Sequence, residues 1–328
     1  MKLFKKIAFL VFILISNFSY SQGLIFDSLE YSKMPSIPIE RGLVPESNSL
    51  ERYLPILYPQ SASTCVAMSY ALARTILYAK EYGITDPVKI TATSMSPYFI
   101  YYMARENNDY SCDDGLNPLK AGVVARDFGF VRMANVEYPN YYPFSSSSLC
   151  PSWRDFYPPE ISKHISMAKK FKIADLYIAN NSNEIKYALS KNLPVVVGLS
   201  VPKSFENLKS SIWIPGKYEY KNSTLLGHAI VAIAYDDNFL GGAIQIANSW
   251  GEEWGYKGKA WIRYKDLNYW MKGGFIMEPS TNLGAELPDK LDSNSDKKPE
   301  SKTIVLKQKL KTIKFNNKDF INAFKKKE

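Results

Sequence analysis

Histidine is nearly absent from this chain: 328 residues hold only His164 and His228. Cysteine is scarce too, at Cys65, Cys112 and Cys150, enough for one free thiol and one possible disulfide rather than a disulfide framework. Long apolar runs are missing. The run Ile7–Ile15 falls short of the roughly 20 residues that span a bilayer, and no cysteine follows it to carry a lipid. A charge excess is missing from the body of the chain. The net charge of +9 resolves into +3 in residues 1–21, +5 in 281–328 and only +1 between them. A nucleic-acid binder needs a basic stripe on the fold itself, so that class is set aside. There is no internal repeat and no collagen-like or wholly disordered composition.

What is present begins with an export signal. Lys2, Lys5 and Lys6 precede the apolar run, and Ser19-Tyr20-Ser21 supplies small residues for cleavage after Ser21. The expected location is periplasmic or extracellular. Residues 22–44 are mixed and proline-bearing, and read as an extended arm. From about residue 280 the chain turns to Asp, Ser, Asn, Pro and Lys, the composition of a linker and basic tail. That tail reads either as solvated or as a weak contact for an anionic surface.

The segment 45–279 divides into two characters. Cys65 to about Glu81 lacks Gly and Pro and predicts a helix, with Ser63 or Thr64 as N-cap and Gly83 beyond its end. Further helices are expected from Pro97 to about Arg105 and from Pro118 to about Asp127, the latter capped by Asn117. Asn181 and Glu184 form a capping-box-like start for a helix to Lys191. After Pro194, strands are expected at 195–201, 229–235, 243–247 and 259–264. Helices first and strands later predict an α+β fold, with a helical part over about 45–180 and a β-rich part over about 181–279. A cleft between the two parts is the natural site.

Chemistry concentrates in that cleft. Cys65 opens its helix, where unpaired N–H groups and the macrodipole favour negative charge. With an imidazolium nearby, such a thiol can fall to a pKa of about 3.5–7.5 and become a thiolate nucleophile. Twenty residues after His228 stands Asn248-Ser249-Trp250-Gly251. An asparagine amide can fix an imidazole, and an adjacent tryptophan can keep water from that bond. Gln60, with the backbone N–H of Cys65, can supply an oxyanion hole. His164 has no such company and reads as structural.

The set Gln60, Cys65, His228 and Asn248-Ser249-Trp250-Gly251-x-x-Trp254-Gly255-x-x-Gly258 resembles the papain family of cysteine peptidases. It is most similar to a bacterial, secreted branch, through Gly227-His228-Ala229 and Tyr235-Asp236-Asp237 followed by Gly241-Gly242-Ala243. The resemblance implies a papain-like fold, a helical subdomain packed on an antiparallel, barrel-like one, and the following roles. Cys65 attacks the scissile carbonyl, His228 pairs with it, and Asn248 orients His228. Gln60 binds the oxyanion, Trp250 shields the pair, and Gly115 lines the substrate cleft. The partner is a peptide or protein, no metal or cofactor is implied, and the expected state is a monomer. Cys112 and Cys150 are free to pair or to remain thiols.

Two features depart from the family pattern. The run Ala62-Ser63-Thr64-Cys65-Val66 replaces the familiar Cys-Gly-Ser/Ala-Cys-Trp/Tyr. Gln60 also stands five residues before Cys65, where six is usual, a difference of about 3.3–3.6 Å of chain. Two other classes therefore remain: a catalytically inactive binding module on this scaffold, and another Cys-His acyl-transfer enzyme or amidase.

Overall fold

A computed structural model describes residues 23–40, 42–60, 62–106, 109, 114–136, 158–222 and 225–280. The signal, the basic tail, and both Cys112 and Cys150 lie outside the described residues.

In chain order the elements are α1 (Ser28–Ser32), β1 (Ser47–Ser49), α2 (Cys65–Glu81), α3 (Pro87–Ala92), α4 (Pro97–Ala104), α5 (Pro118–Asp127) and α6 (Pro158–Ala168). They continue with β2 (Ile173–Ala179), α7 (Ser182–Ser190), β3 (Val195–Val201), α8 (Lys203–Glu206), β4 (Ile212–Trp213) and α9 (Glu219–Asn222). The last are β5 (Leu226–Asp236), β6 (Ala243–Ala247), β7 (Lys259–Arg263), α10 (Tyr264–Trp270) and β8 (Met271–Pro279).

Helix α2 is buried on every side from Cys65 to Tyr70, and Arg74, Ile76 and Tyr78 are buried further along. A helix apolar all round belongs inside a core, and α2 packs between α4 and α5 on one side and β5 and β3 on the other. Ala67, Ala71 and Ala73, all buried, present little bulk along it. Its neighbours start where their caps dictate. Ser96 accepts from the Phe99 N–H at 3.3 Å ahead of α4, and Asn117 accepts from the Leu119 N–H at 2.9 Å ahead of α5. Both helices then carry proline in the first turn, where a missing N–H costs nothing.

The strands form one sheet in the order β2-β8-β3-β5-β6-β7-β4, with β1 also paired to β5. All pairings are antiparallel except β4 with β7. The long β5 sits near the centre, and its residues Ala229–Tyr235 are buried. The α+β expectation holds. Its division needs two corrections: β2 precedes residue 181 yet pairs with β8 in the sheet, and the arm 22–44 is not simply extended, because it carries α1.

The register prepares the site. On β3, Leu199 lies opposite His228 and Gly198 opposite Ala229. Val231 on β5 lies opposite Ala247, the last residue of β6. Asn248, the next residue, therefore emerges beside the His228 end of β5.

Candidate active site

His228 is buried, and its Nε2 lies 2.7 Å from Oδ1 of Asn248. An amide oxygen only accepts, so Nε2 carries the proton and Nδ1 carries the lone pair. Nδ1 has no hydrogen-bond partner. Asn248 is itself held: its N–H donates to the Gly258 carbonyl at 2.9 Å, and its Oδ1 also accepts from the Ser249 N–H at 2.8 Å.

Trp250 stacks on the imidazole, with centroids 4.2 Å apart and planes at 27°. Behind it stand Phe205, 5.7 Å from Trp250 edge-on, and Trp254, whose Nε1–H donates to the Phe205 carbonyl at 2.7 Å. Water is thus kept from the His228–Asn248 bond. Phe205 was invisible to sequence reasoning, since a lone Phe after a proline carries no signal of its role.

Cys65 is a free, fully buried cysteine at the first position of α2. Backbone groups of Ala229, the residue after His228, and of Gly23, Val66 and Cys65 itself surround its sulfur. Burial nevertheless dominates and pushes the thiol up to about 12. Burial likewise pushes His228 down to about 4, against the opposing hydrogen bond to Asn248. Both shifts run against the depressed thiol pKa expected from the helix start. Desolvation outweighs the helix N-terminus.

Gln60 is tied into the same cluster despite the shortened loop. Its N–H donates to the Ser249 carbonyl at 2.7 Å, and its Oε1 accepts from the Ser249 hydroxyl at 2.7 Å. Its Nε2 donates to the Ala62 carbonyl at 3.0 Å, on the turn leading to Cys65. Ala62 takes φ +48, a left-handed conformation uncommon for a residue with a Cβ. The sequence offered Ser249 only as a filler between Asn248 and Trp250; here its hydroxyl fixes the orientation of the Gln60 amide.

Gly115 lies against Gly23, which in turn lies against Cys65. It adopts φ +82, and a Cβ there would lie 2.5 Å from the Gly23 carbonyl oxygen. Its N–H donates to Tyr101 Oη at 3.1 Å, and the buried Tyr101 hydroxyl donates in turn to Asp109. The structure therefore gathers Gln60, Cys65, His228, Asn248 and Trp250 together, with Gly115 linked to Cys65 through Gly23. His164 lies half-buried on α6. Among the described residues no group of three or more His, Cys, Asp or Glu is placed to hold a metal ion, and no helix is long and apolar enough to cross a membrane.

Comparison with known proteins shows the family and the fold. A family model described as papain family cysteine protease matches residues 102–274, just over half of the chain, and includes His228 and Asn248. An uncharacterized peptidase C1-like protein of Acanthamoeba polyphaga mimivirus is 25% identical over 198 residues, 59% of this chain and 61% of that protein. Cathepsin C of Schistosoma mansoni is 25% identical over 204 residues, 60% of this chain and 40% of that protein. The chain thus spans between two fifths and three fifths of these relatives. In fold it is similar to xylellain, a cysteine protease from Xylella fastidiosa, with a TM-score of 0.62 and 23% identity, covering 79% of this chain and 96% of xylellain. It is also similar to procathepsin B of Trypanosoma congolense, at TM-score 0.59 and 17% identity, covering 80% and 87%. The chain belongs to the papain family of cysteine proteases.

Proposed function

We propose that this protein is an exported peptidase that hydrolyses peptide bonds through Cys65 and His228. The observation that carries the reading is the imidazole held by Asn248 at 2.7 Å with its other nitrogen unpartnered, beside a cysteine packed against the next residue of the same strand. Nδ1 of His228 takes the thiol proton as Cys65 Sγ attacks the scissile carbonyl carbon. The resulting oxyanion is met by the Cys65 N–H and by the Gln60 amide, once that amide turns from Ala62. The C–N bond then breaks, and the imidazolium gives its proton to the departing amine. Water, deprotonated by His228, attacks the thioester and releases the acid and the free thiol. Asn248 accepts the Nε2–H throughout, and Trp250 screens that bond.

Export rests on the basic, apolar and small-residue order of Lys2 to Ser21, and places the enzyme in the periplasm or outside the cell. Peptides or proteins are the substrates, and the working unit is a monomer. Alkylation with an epoxide that targets cleft thiolates, followed by peptide mapping, tests the site. Cys65 is expected to be modified, and His228→Ala to abolish the labelling. Absence of labelling in the folded, reduced protein would contradict the reading. A second reading, an inactive peptide-binding module, draws on the full burial of Cys65. It calls for peptide retention with no turnover by the reduced protein.

A further inference from the structure

A cavity of about 260 Å³ lies among the ends of β3 and β8, the start of β5, and the helices α9 and α10. Ser200, on its lining, pairs with Gly227, the residue before His228. Leu225, also on its lining, stands three positions before His228, about 10 Å along an extended chain. The cavity therefore adjoins the reacting groups at the reach of two or three residues of a bound peptide.

Its aromatic wall is fixed from behind. Tyr220, Tyr269 and Trp270 line the cavity and meet one another in pairs, with centroid separations of 4.7, 5.5 and 4.9 Å. The Tyr220 hydroxyl donates to the buried Asp266 carboxylate, which also accepts from Arg263 Nε. The Tyr269 hydroxyl donates to the Tyr220 carbonyl. Both phenols are thus committed within the fold. The Nε1–H of Trp270 is buried and meets no acceptor in the protein, whereas a buried indole N–H usually finds one.

The charges are uneven. Glu219 lines the cavity, yet its carboxylate accepts from the Ser204 hydroxyl at 2.8 Å and from the Gly216 N–H at 2.7 Å. Those bonds hold the loop that precedes α9. Lys221 and Lys272, also on the lining, are exposed, and neither enters an ion pair among the described residues. The groups left for a ligand are therefore donors: two ammonium groups and one indole N–H. Their complement carries acceptors and negative charge, and in a peptide that is a carboxylate side chain.

We propose that the cavity is a specificity subsite in which Lys221 and Lys272 select a peptide bearing an acidic side chain two or three residues from the scissile bond. The proposal rests on the peptidase reading of the site and adds a substrate preference to it. The aromatic wall supplies an apolar face for the stem of that side chain, so Glu, with one methylene more than Asp, is the better fit.

Two measurements on the full, reduced protein test the proposal. The first is cleavage of matched peptides carrying Glu, Gln or Lys at the second or third residue on either side of the scissile bond. At one of these positions Glu is expected to raise kcat/KM over Gln by about 2–5-fold, the scale of an exposed ion pair, and added salt is expected to shrink the gain. Lys221→Glu and Lys272→Glu change exposed side chains, so melting curves are expected to match wild type while the preference turns toward Lys. The second measurement is binding of the same peptides, fluorescein-labelled, to Cys65→Ala by anisotropy, which reads the subsite without turnover. Glu peptides are expected to bind about 2–5-fold tighter than Gln peptides, and Lys272→Glu in that background to remove the difference. Cleavage indifferent to Glu, Gln and Lys would overturn the subsite and leave the peptidase reading standing. Glu-selective binding without any cleavage would uphold the subsite and overturn the peptidase reading. Absence of both binding and cleavage would overturn both.

Discussion

The hydroxyl of Ser249 donates to Gln60 Oε1 at 2.7 Å across 189 positions of sequence. It thereby joins the run that holds His228 to the loop that leads into Cys65. Together with the Gln60 N–H, which donates to the Ser249 carbonyl at 2.7 Å, it fixes the two segments against one another.

That bond predicts a graded loss of activity. Gln60→Ala removes an oxyanion donor and is expected to lower kcat about 10²–10³-fold with little change in KM. Ser249→Ala leaves the donor in place but frees its orientation, so a smaller fall of about 2–12-fold is expected from one lost neutral hydrogen bond. Steady-state kinetics on a single peptide check the order. A Ser249→Ala enzyme as damaged as Gln60→Ala would show that the serine does more than orient the amide.

Asn248→Ala strips the acceptor from both the His228 Nε2–H and the Ser249 N–H. Each buried donor left unsatisfied costs about 1–3 kcal/mol. With two donors affected, the variant is expected to lose about 2–6 kcal/mol of stability, measured by urea unfolding, and to lose kcat while KM holds. Asn248→Asp restores an acceptor and is expected to recover part of the stability.

Burial of His228 sets an acid limit to stability. The pKa falls from an ordinary 6.5 to about 4 in the folded chain, so the unfolded chain takes up the proton first. The contribution is complete above pH 6.5 and is lost as pH falls toward 4, about 3 kcal/mol in total. Cys65, raised from 9.0 to about 12, acts in the opposite window: its contribution is complete below pH 9 and is lost as pH rises toward 12. Unfolding free energies of the wild type and of His228→Phe, measured between pH 4 and 7, are expected to differ in slope. Parallel curves would contradict the assignment.

Tyr101 is expected to act on substrate affinity. Its oxygen accepts from the Gly115 N–H and it donates to Asp109, so Tyr101→Phe loosens one cleft wall without touching the thiol or the imidazole. KM is expected to rise about 2–12-fold with kcat preserved, and the rate of Cys65 alkylation should not change. A fall in kcat at constant KM would argue for a role nearer the reacting atoms.

Much of this was legible in residue order. The cap at Asn117, the Gly- and Pro-free run from Cys65, and the short distance from His228 to Asn248 each follow a local rule that the fold obeys. Local rules failed where a distant segment decides. β8 carries Gly273-Gly274, which weakens a strand on its own; Tyr31, more than 240 residues away, packs on that pair and bonds to it. β2 includes Asp175, which breaks its apolar pattern, yet the strand is completed by β8. The surroundings of Cys65 follow the same pattern: the local sequence contains the helix start that favours charge, whereas Gly23, where an added Cβ would lie 2.8 Å from the sulfur, comes from a distant segment.

The central claim is that Cys65 and His228 cut peptide bonds. A peptide-library cleavage profile of the reduced protein, run beside its Cys65→Ala counterpart, tests it most directly. The account predicts defined cleavage sites for the first protein and loss of all of them for the second. Cleavage that survives Cys65→Ala, or peptides retained intact by both proteins, would contradict it.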